Sequence, residues 1–281
     1  MSGLEPDLAF AHRLADAAEP IALRHFTAGN TAWQTKRDGS PVSEADEQIE
    51  HALRSQVRRH RPDDALLGEE LGAAGHSPRR WIIDAIDGTA SFLAGEPEWS
   101  TLIALDEHGT AQLGVVAAPA LQRRWWAARG NGAWTRSTAD SRAEPLTIAG
   151  ASCLQEATVG IWPPPSRLSP PDTALAVRVA AAAGRTRPVV DWSDTTQPPR
   201  PIRKPSTGTG CCHGALLVAA GHLDAFLLLG AGPWDIAALI PIIEEAGGTY
   251  TDLPTSGHAR SGLFANPALH QQILDLAIHN Y

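Results

Sequence analysis

Trp81-Ile82-Ile83-Asp84-Ala85-Ile86-Asp87-Gly88-Thr89 is an apolar run that delivers two acids, three residues apart, onto a Gly-Thr turn. Trp81 to Ile83 read as a short buried strand, so Asp84 falls where the apolar run stops, at the mouth of a sheet rather than inside it. Gly88 lets the backbone turn tightly and leaves its N–H free for an anion, and the Thr89 hydroxyl can orient a water. Such an arrangement can hold metal ions beside a phosphate. The bland alternative, a structural turn, needs only one of the two acids.

Two further sets of carboxylates end apolar runs: Glu69 and Glu70 after Leu66-Leu67-Gly68, and Asp235 in Pro233-Trp234-Asp235-Ile236-Ala237-Ala238. Oxygen-only ligands select magnesium or a similar hard cation over zinc, and magnesium binds through few carboxylates plus substrate phosphate. One such set can serve two or three ions, which at about 3.5–4 Å apart activate a water and stabilise the leaving oxygen. That is the chemistry of phosphate monoester hydrolysis. Each acid also has a plainer reading. Asp235 opens an apolar helix and can simply cap it, as Asp46 can with Ser43 at capping-box spacing. The side chains of Glu69 and Glu70 diverge in either helix or strand, so one of them is expected to face away from the site.

Around these acids, residues Asp7 to Phe26 carry a helical apolar stripe, and Lys36 to Val42 read as a turn or hairpin. Ser43 starts a second helix that Pro62 ends. Thr101–Leu105, Leu113–Ala118 and Arg124–Ala128 suggest an antiparallel meander. From about Leu146 strands alternate with helices at Ala174–Ala183, Cys211–Ala220 and Trp234–Ala246, and Asn266-Pro267 starts a closing helix. The expected division is an N-terminal α+β subdomain over 1–142 carrying the metal-binding motifs and a C-terminal α/β subdomain over 143–281 completing the site. Two segments are rich in proline, Trp162 to Pro171 and Arg187 to Pro205; the second, also basic, is either a mobile lid or a solvated insertion.

The chain of 281 residues has 31 acids against 23 Lys and Arg, a formal charge of −8. This disfavours nucleic acid and anionic membrane as main partners, while a few placed cations could still bind a small anionic substrate. No secretory segment is visible at the start, and the longest apolar region, Ala215 to Leu229, is interrupted by His222 and Asp224, so a cytoplasmic protein is expected. Cys153, Cys211 and Cys212 do not suit disulfides, and Cys211-Cys212-His213 do not readily converge on zinc; a small buried helix face is the better reading. Gly208-Thr209-Gly210-Cys211-Cys212-His213-Gly214 fails the dinucleotide spacing. It reads instead as a helix N-terminus facing the ligand, with Thr209 and Gly210 toward substrate, or as a structural turn.

Several of these parts, in order, resemble the inositol monophosphatase family of magnesium-dependent, lithium-sensitive phosphatases. They are Lys36 with Ser40 to Asp46, Gly68-Glu69-Glu70, Trp81 to Thr89 with Phe92 and Gly95, and Trp234 to Ala238 with Glu245 to Gly248. Within the family, Trp99 to Leu105 and Ala118 to Gly130 look most like actinobacterial histidinol-phosphate phosphatases. The resemblance implies a layered αβαβα sandwich and a Mg²⁺-dependent phosphoric monoester hydrolase acting on a small phosphorylated metabolite, with two or three ions per site. It implies Glu69, Asp84 and the Ile86 carbonyl on the first metal, Asp84, Asp87 and Asp235 on the second, and a weaker third ion by Glu69. Glu69 and Thr89, assisted by Asp46, would activate the attacking water, and the N–H groups of Gly88 and Thr89 would receive the phosphate. Dimers are common among the proteins it resembles, so a homodimer stands open, with no interface signature in the sequence.

Two departures bear on the substrate and the turn. Ala85 replaces the family's usual proline between the acids, which loosens the turn and leaves every ligand in place. Leu228 stands six residues before Trp234, where the related enzymes present an acid to the substrate amine or hydroxyls. A sugar, cyclitol or nucleotide phosphate of a specialised pathway therefore fits Leu228 better than histidinol phosphate. Histidinol phosphate and inositol phosphate remain as alternatives, and a catalytically silent binding or regulatory homologue is the alternative of another class.

Overall fold

In the computed structural model, residues 3–37, 39–137, 142–196, 211–253 and 260–278 are described. The apolar stripe near the start forms α1 (Glu5–Ala28), two residues longer at each end than its pattern predicts. The expected hairpin follows as β1 (Trp33–Thr35) and β2 (Pro41–Ser43). Then α2 (Glu44–His60) opens with a complete capping box: the Ser43 hydroxyl accepts the Asp46 N–H at 3.4 Å, and Asp46 Oδ2 accepts the Ser43 N–H at 2.8 Å. Next come β3 (Ala65–Gly68), β4 (Gly72–Ala74), β5 (Arg79–Asp87) and the short α3 (Thr89–Leu93). The expected meander runs through β6 (Ser100–Glu107), β7 (Thr110–Ala118) and β8 (Arg123–Ala128), and continues into β9 (Ala133–Ser137) and β10 (Glu144–Pro145).

The second half alternates as its pattern suggests: β11 (Thr158–Trp162), α4 (Pro170–Ala182), β12 (Arg185–Arg187), α5 (Cys212–Ala219) and β13 (Ala225–Ala231). The single helix expected over Trp234–Ala246 is instead two, α6 (Pro233–Ala237) and α7 (Leu239–Glu245). Pro241 has no N–H for the Ala237 carbonyl, and its ring clashes with that carbonyl, which breaks the helix one turn earlier. The chain closes with β14 (Thr249–Leu253), β15 (Arg260–Ala265) and α8 (Pro267–Ile278), the last capped by Asn266, whose Oδ1 accepts the Leu269 N–H at 3.0 Å.

The strands form two large sheets. One has the order β10-β9-β8-β7-β6-β5-β3-β4, with β3 and β5 its parallel pair; the other has the order β12-β11-β13-β15-β14 and mixes parallel and antiparallel neighbours. Three apolar cores join five layers, the middle one filling both faces of the central helices. Phe10, Leu14, Ile49 and Leu53 of α1 and α2 meet Trp81, Ile83 and Ile103 on one face of the first sheet. Ile82, Leu102 and Val116 on its other face meet Leu216, Ile236 and Ile242 of the central helices, which in turn pack on Phe226 and Phe264 of the second sheet. Leu175 and Val179 of α4 and Ile273 of α8 cover the far face of that sheet through Val159 and Leu263. The αβαβα sandwich thus follows from sheets buried on both faces. None of the described helices is long and apolar enough to cross a membrane.

Candidate active site

Side chains alternate between faces along a strand, so two acids three residues apart belong on opposite sides of a sheet. A bulge in β5 removes that conflict. Against β6, Asp84 pairs with Leu102 and Asp87 with Ser100, so three steps on β5 oppose two on its neighbour. The packing shows the parity change: Ile82 points into the central core, whereas Ile86 joins Trp81 and Ile83 in the outer one. Asp84 and Asp87 therefore both reach the central layer. The strand runs on through Asp87 instead of ending at Asp84 as its apolar run implies, and Asp84 and Asp87 are 1% and 3% exposed. Ala85, which has no proline ring to stiffen the bulge, is held from β6: the Thr101 hydroxyl donates to its carbonyl at 2.8 Å.

Asp235, in the first turn of α6, completes the cluster. One carboxylate oxygen from each of Asp84, Asp87 and Asp235 lies within 4.8 Å of the others. The capping reading of Asp235 also holds, since its Oδ2 accepts the Gly232 N–H at 2.5 Å. Asp87 Oδ2 accepts the Cys212 N–H at 2.9 Å, so the first free N–H of α5 faces this carboxylate. Both oxygens of Asp84 are buried and have no hydrogen-bond partner among the described residues. Burial and mutual repulsion raise all three acids above the ordinary carboxylate range, Asp87 to about 6. An orphaned, desolvated carboxylate among like charges calls for a cation, and the all-oxygen donor set fits a hard one such as Mg²⁺. The nearby Asp87, Cys212 and His213 also present ligand atoms within 4.8 Å of one another. Burial keeps that thiol protonated and lowers His213 to about 4, so both side chains sit neutral in the protein core.

Glu69 and Glu70 depart from expectation. They lie in the turn between β3 and β4, and their carboxylates converge on one ammonium, Lys36 Nζ, at 2.7 and 2.6 Å. Divergence holds for regular helix or strand, and this turn is neither. Burial opposes the Lys36 charge, but the two carboxylates outweigh it and raise its pKa. Burial raises Glu70 to about 7 despite that ion pair. The turn is fastened from α2: the fully buried Glu50 accepts the Glu70 and Leu71 N–H groups at 2.8 and 3.1 Å and pairs with Arg54 at 2.7 Å. Gly68 is the residue that admits this carboxylate, because a Cβ there would stand 2.0 Å from Glu50 Oε1.

Thr89 and Asp46 meet as the resemblance implies. The Thr89 hydroxyl lies 3.2 Å from Asp46 Oδ1 and 3.0 Å from the Ile86 carbonyl, while Asp46 also accepts the Ser43 N–H and hydroxyl. Burial raises Asp46 to about 6. Gly88 turns the chain between them at φ +87°, a left-handed conformation that favours glycine.

Glu69, Asp84, Ile86, Asp87, Gly88, Thr89, Leu228 and Asp235 all line one cavity of about 380 Å³. Asp46 stands behind Thr89, buried. Leu228, 3% exposed on β13, is paired in register with Trp162 of β11, so this wall is apolar. Thr209 and Gly210 lie outside the described residues, as do residues 197–205 of the basic proline-rich stretch. Reading the sequence did not single out Glu50 or Glu98, and it marked Trp162 and Arg167 only as part of a proline-rich segment. Glu50 left a signal in its i+4 spacing to Arg54, and Trp162 and Arg167 in the prolines around them; Glu98 sits in an irregular stretch with no motif.

Comparison with known proteins agrees with this geometry. A model of the inositol monophosphatase family matches residues 3–279. The chain is 37% identical to a histidinol-phosphatase of Streptomyces coelicolor, across 98% of each protein. It is 36% identical to a histidinol-phosphatase of Mycobacterium tuberculosis, across 95% of this chain and 96% of that one. Among solved structures, an inositol monophosphatase from Zymomonas mobilis superposes with a TM-score of 0.78 at 27% identity, covering 99% of both chains. With its fold, its clustered acids and its whole length in agreement, this chain belongs to the inositol monophosphatase family.

Proposed function

We propose that the protein is a Mg²⁺-dependent phosphatase that hydrolyses a small phosphate monoester. The observation that carries the proposal is Asp84: both its oxygens are buried without a partner, between Asp87 and Asp235, on the wall of a cavity open to ligand. Glu69, Asp84, Asp87, Asp235 and the Ile86 carbonyl would hold two or three ions. The bound ions supply a Lewis-acid clamp on the phosphate and an acidified water. The Gly88 and Thr89 N–H groups, at the head of the turn, would bind phosphate oxygens. Glu69 and Thr89 would activate the attacking water, with the Thr89 hydroxyl taking the water's proton as it passes its own to Asp46 across the 3.2 Å contact. The water oxygen ends on inorganic phosphate, and the ester oxygen leaves with the alcohol, which gains its proton from solvent.

The buried Leu228 opposite Trp162 supports a substrate that does not rest an amine on this wall. Phosphate release from a panel of histidinol phosphate, inositol phosphates, fructose bisphosphate, nucleotides and p-nitrophenyl phosphate tests the reading. Turnover of at least one ester, dependent on Mg²⁺, is expected. No release from any of them, including p-nitrophenyl phosphate, would overturn it.

A further inference from the structure

Glu98 is the acid of the cavity that no part of the metal cluster uses. It lies in the irregular segment between α3 and β6, on the lining shared with Thr89 and Leu228. Its Oε2 is buried and has no hydrogen-bond partner among the described residues. Arg167, the cation among the described lining residues, forms no ion pair with it. The backbone at Glu98 is fixed from both sides. Its carbonyl would stand 3.0 Å from a Cβ on Gly88, and the next residue, Trp99, is fully buried against the Phe92 ring at 5.0 Å. The residue is half-buried, and an acceptor oxygen withdrawn from water without a donor costs stability unless a ligand donates to it.

The rest of the cavity lining narrows what such a ligand would be. Leu228 supplies an apolar surface there and no acceptor, so a polar leaving group entering the cavity finds its carboxylate at Glu98 instead. We propose that Glu98 is a specificity-determining residue, and that the substrate's leaving group carries an N–H or O–H donor, an ammonium or a hydroxyl, which pairs with it. The proposal rests on the phosphatase reading above and names the substrate class of that same site.

The test compares the wild type with Glu98→Gln and Glu98→Ala on histidinol phosphate, an ammonium ester, on inositol 1-phosphate, a polyol ester, and on p-nitrophenyl phosphate, whose leaving group has no such donor. Thermal unfolding and Mg²⁺ dependence are measured on each protein. For the ester the wild type prefers, Glu98→Ala should lower kcat/KM about 10- to 100-fold, mainly through KM. Turnover of p-nitrophenyl phosphate and the Mg²⁺ requirement should stay within about twofold. An ammonium substrate predicts an equal loss in Glu98→Gln, whereas a hydroxyl substrate predicts a smaller one because the amide oxygen still accepts. Equal losses on all three esters, or a raised Mg²⁺ requirement, would make Glu98 a structural or metal residue and overturn the proposal. Unchanged kinetics on both donor esters would also overturn it while leaving the phosphatase reading intact. Absence of wild-type turnover, p-nitrophenyl phosphate included, would instead remove both.

Discussion

Replacing Glu50 with alanine should damage both the fold and metal binding, although Glu50 does not line the cavity. Its carboxylate is fully buried, pairs with Arg54 at 2.7 Å, and accepts two N–H groups from the turn that carries Glu69 and Glu70. Removing one partner of a buried ion pair costs about 3–5 kcal/mol because the other charge is left uncompensated. The two N–H groups add to this, so about 4–6 kcal/mol is expected in all. At roughly 2–4 °C per kcal/mol for a domain of this size, Tm should fall by about 10 °C or more. With the turn released, Mg²⁺ affinity should weaken about 10- to 100-fold, the usual effect of losing a group that orients a metal ligand. Thermal unfolding with and without Mg²⁺, together with a calorimetric Mg²⁺ titration, reads both quantities. Glu50→Leu combined with Arg54→Met removes the stranded charge, so it should recover most of the stability and none of the Mg²⁺ affinity. A loss below about 1 kcal/mol in Glu50→Ala, with Mg²⁺ affinity unchanged, would refute the claim that α2 holds the Glu69 turn.

Three other outcomes follow from the site. Gly88→Ala places a Cβ at φ +87° and 3.0 Å from the Glu98 carbonyl, so it should cost about 1–2 kcal/mol in urea unfolding and most of the activity; full activity would contradict the placement of the turn. Asp87→Asn should abolish turnover with the circular dichroism spectrum intact, and unchanged activity would remove Asp87 from the metal site. The metal-free protein should gain stability as pH falls from 7.5 to 5.5, because Asp84, Asp87 and Asp235 titrate above their unfolded range and the folded state retains more protons there. Mg²⁺ should therefore raise Tm more at pH 7.5 than at pH 5.5; a metal-free Tm that rises with pH across this window would count against the like-charge cluster.

Much of this arrangement can be read from the chain, and the parts that cannot share a physical reason. The Asp84 to Thr89 stretch, the Ser43–Asp46 cap and the meander are local patterns, carried by residues a few positions apart, and they appear where their spacing puts them. The bulge that brings Asp84 and Asp87 to one face is set by β6, a neighbour thirteen or more residues away, so the spacing alone predicts the wrong parity. Glu69 and Glu70 converge because Lys36 and Glu50 meet them from separate elements. Glu98 left no trace because an acceptor without a partner is a property of surroundings, and no spacing encodes it. The break at Ala238 was legible in principle, through Pro241 one turn later.

The central claim is that the buried acids around Asp84 hold the ions that hydrolyse a phosphate ester. Initial rates of phosphate release against Mg²⁺ concentration, for the wild type and Asp84→Asn, test it most directly. The wild type should show no turnover after chelation and a saturable rise with Mg²⁺, while Asp84→Asn, folded to the same extent, should stay at least about a thousandfold slower at every concentration. Turnover that survives chelation, or an Asp84→Asn protein that follows the wild-type curve, would contradict it.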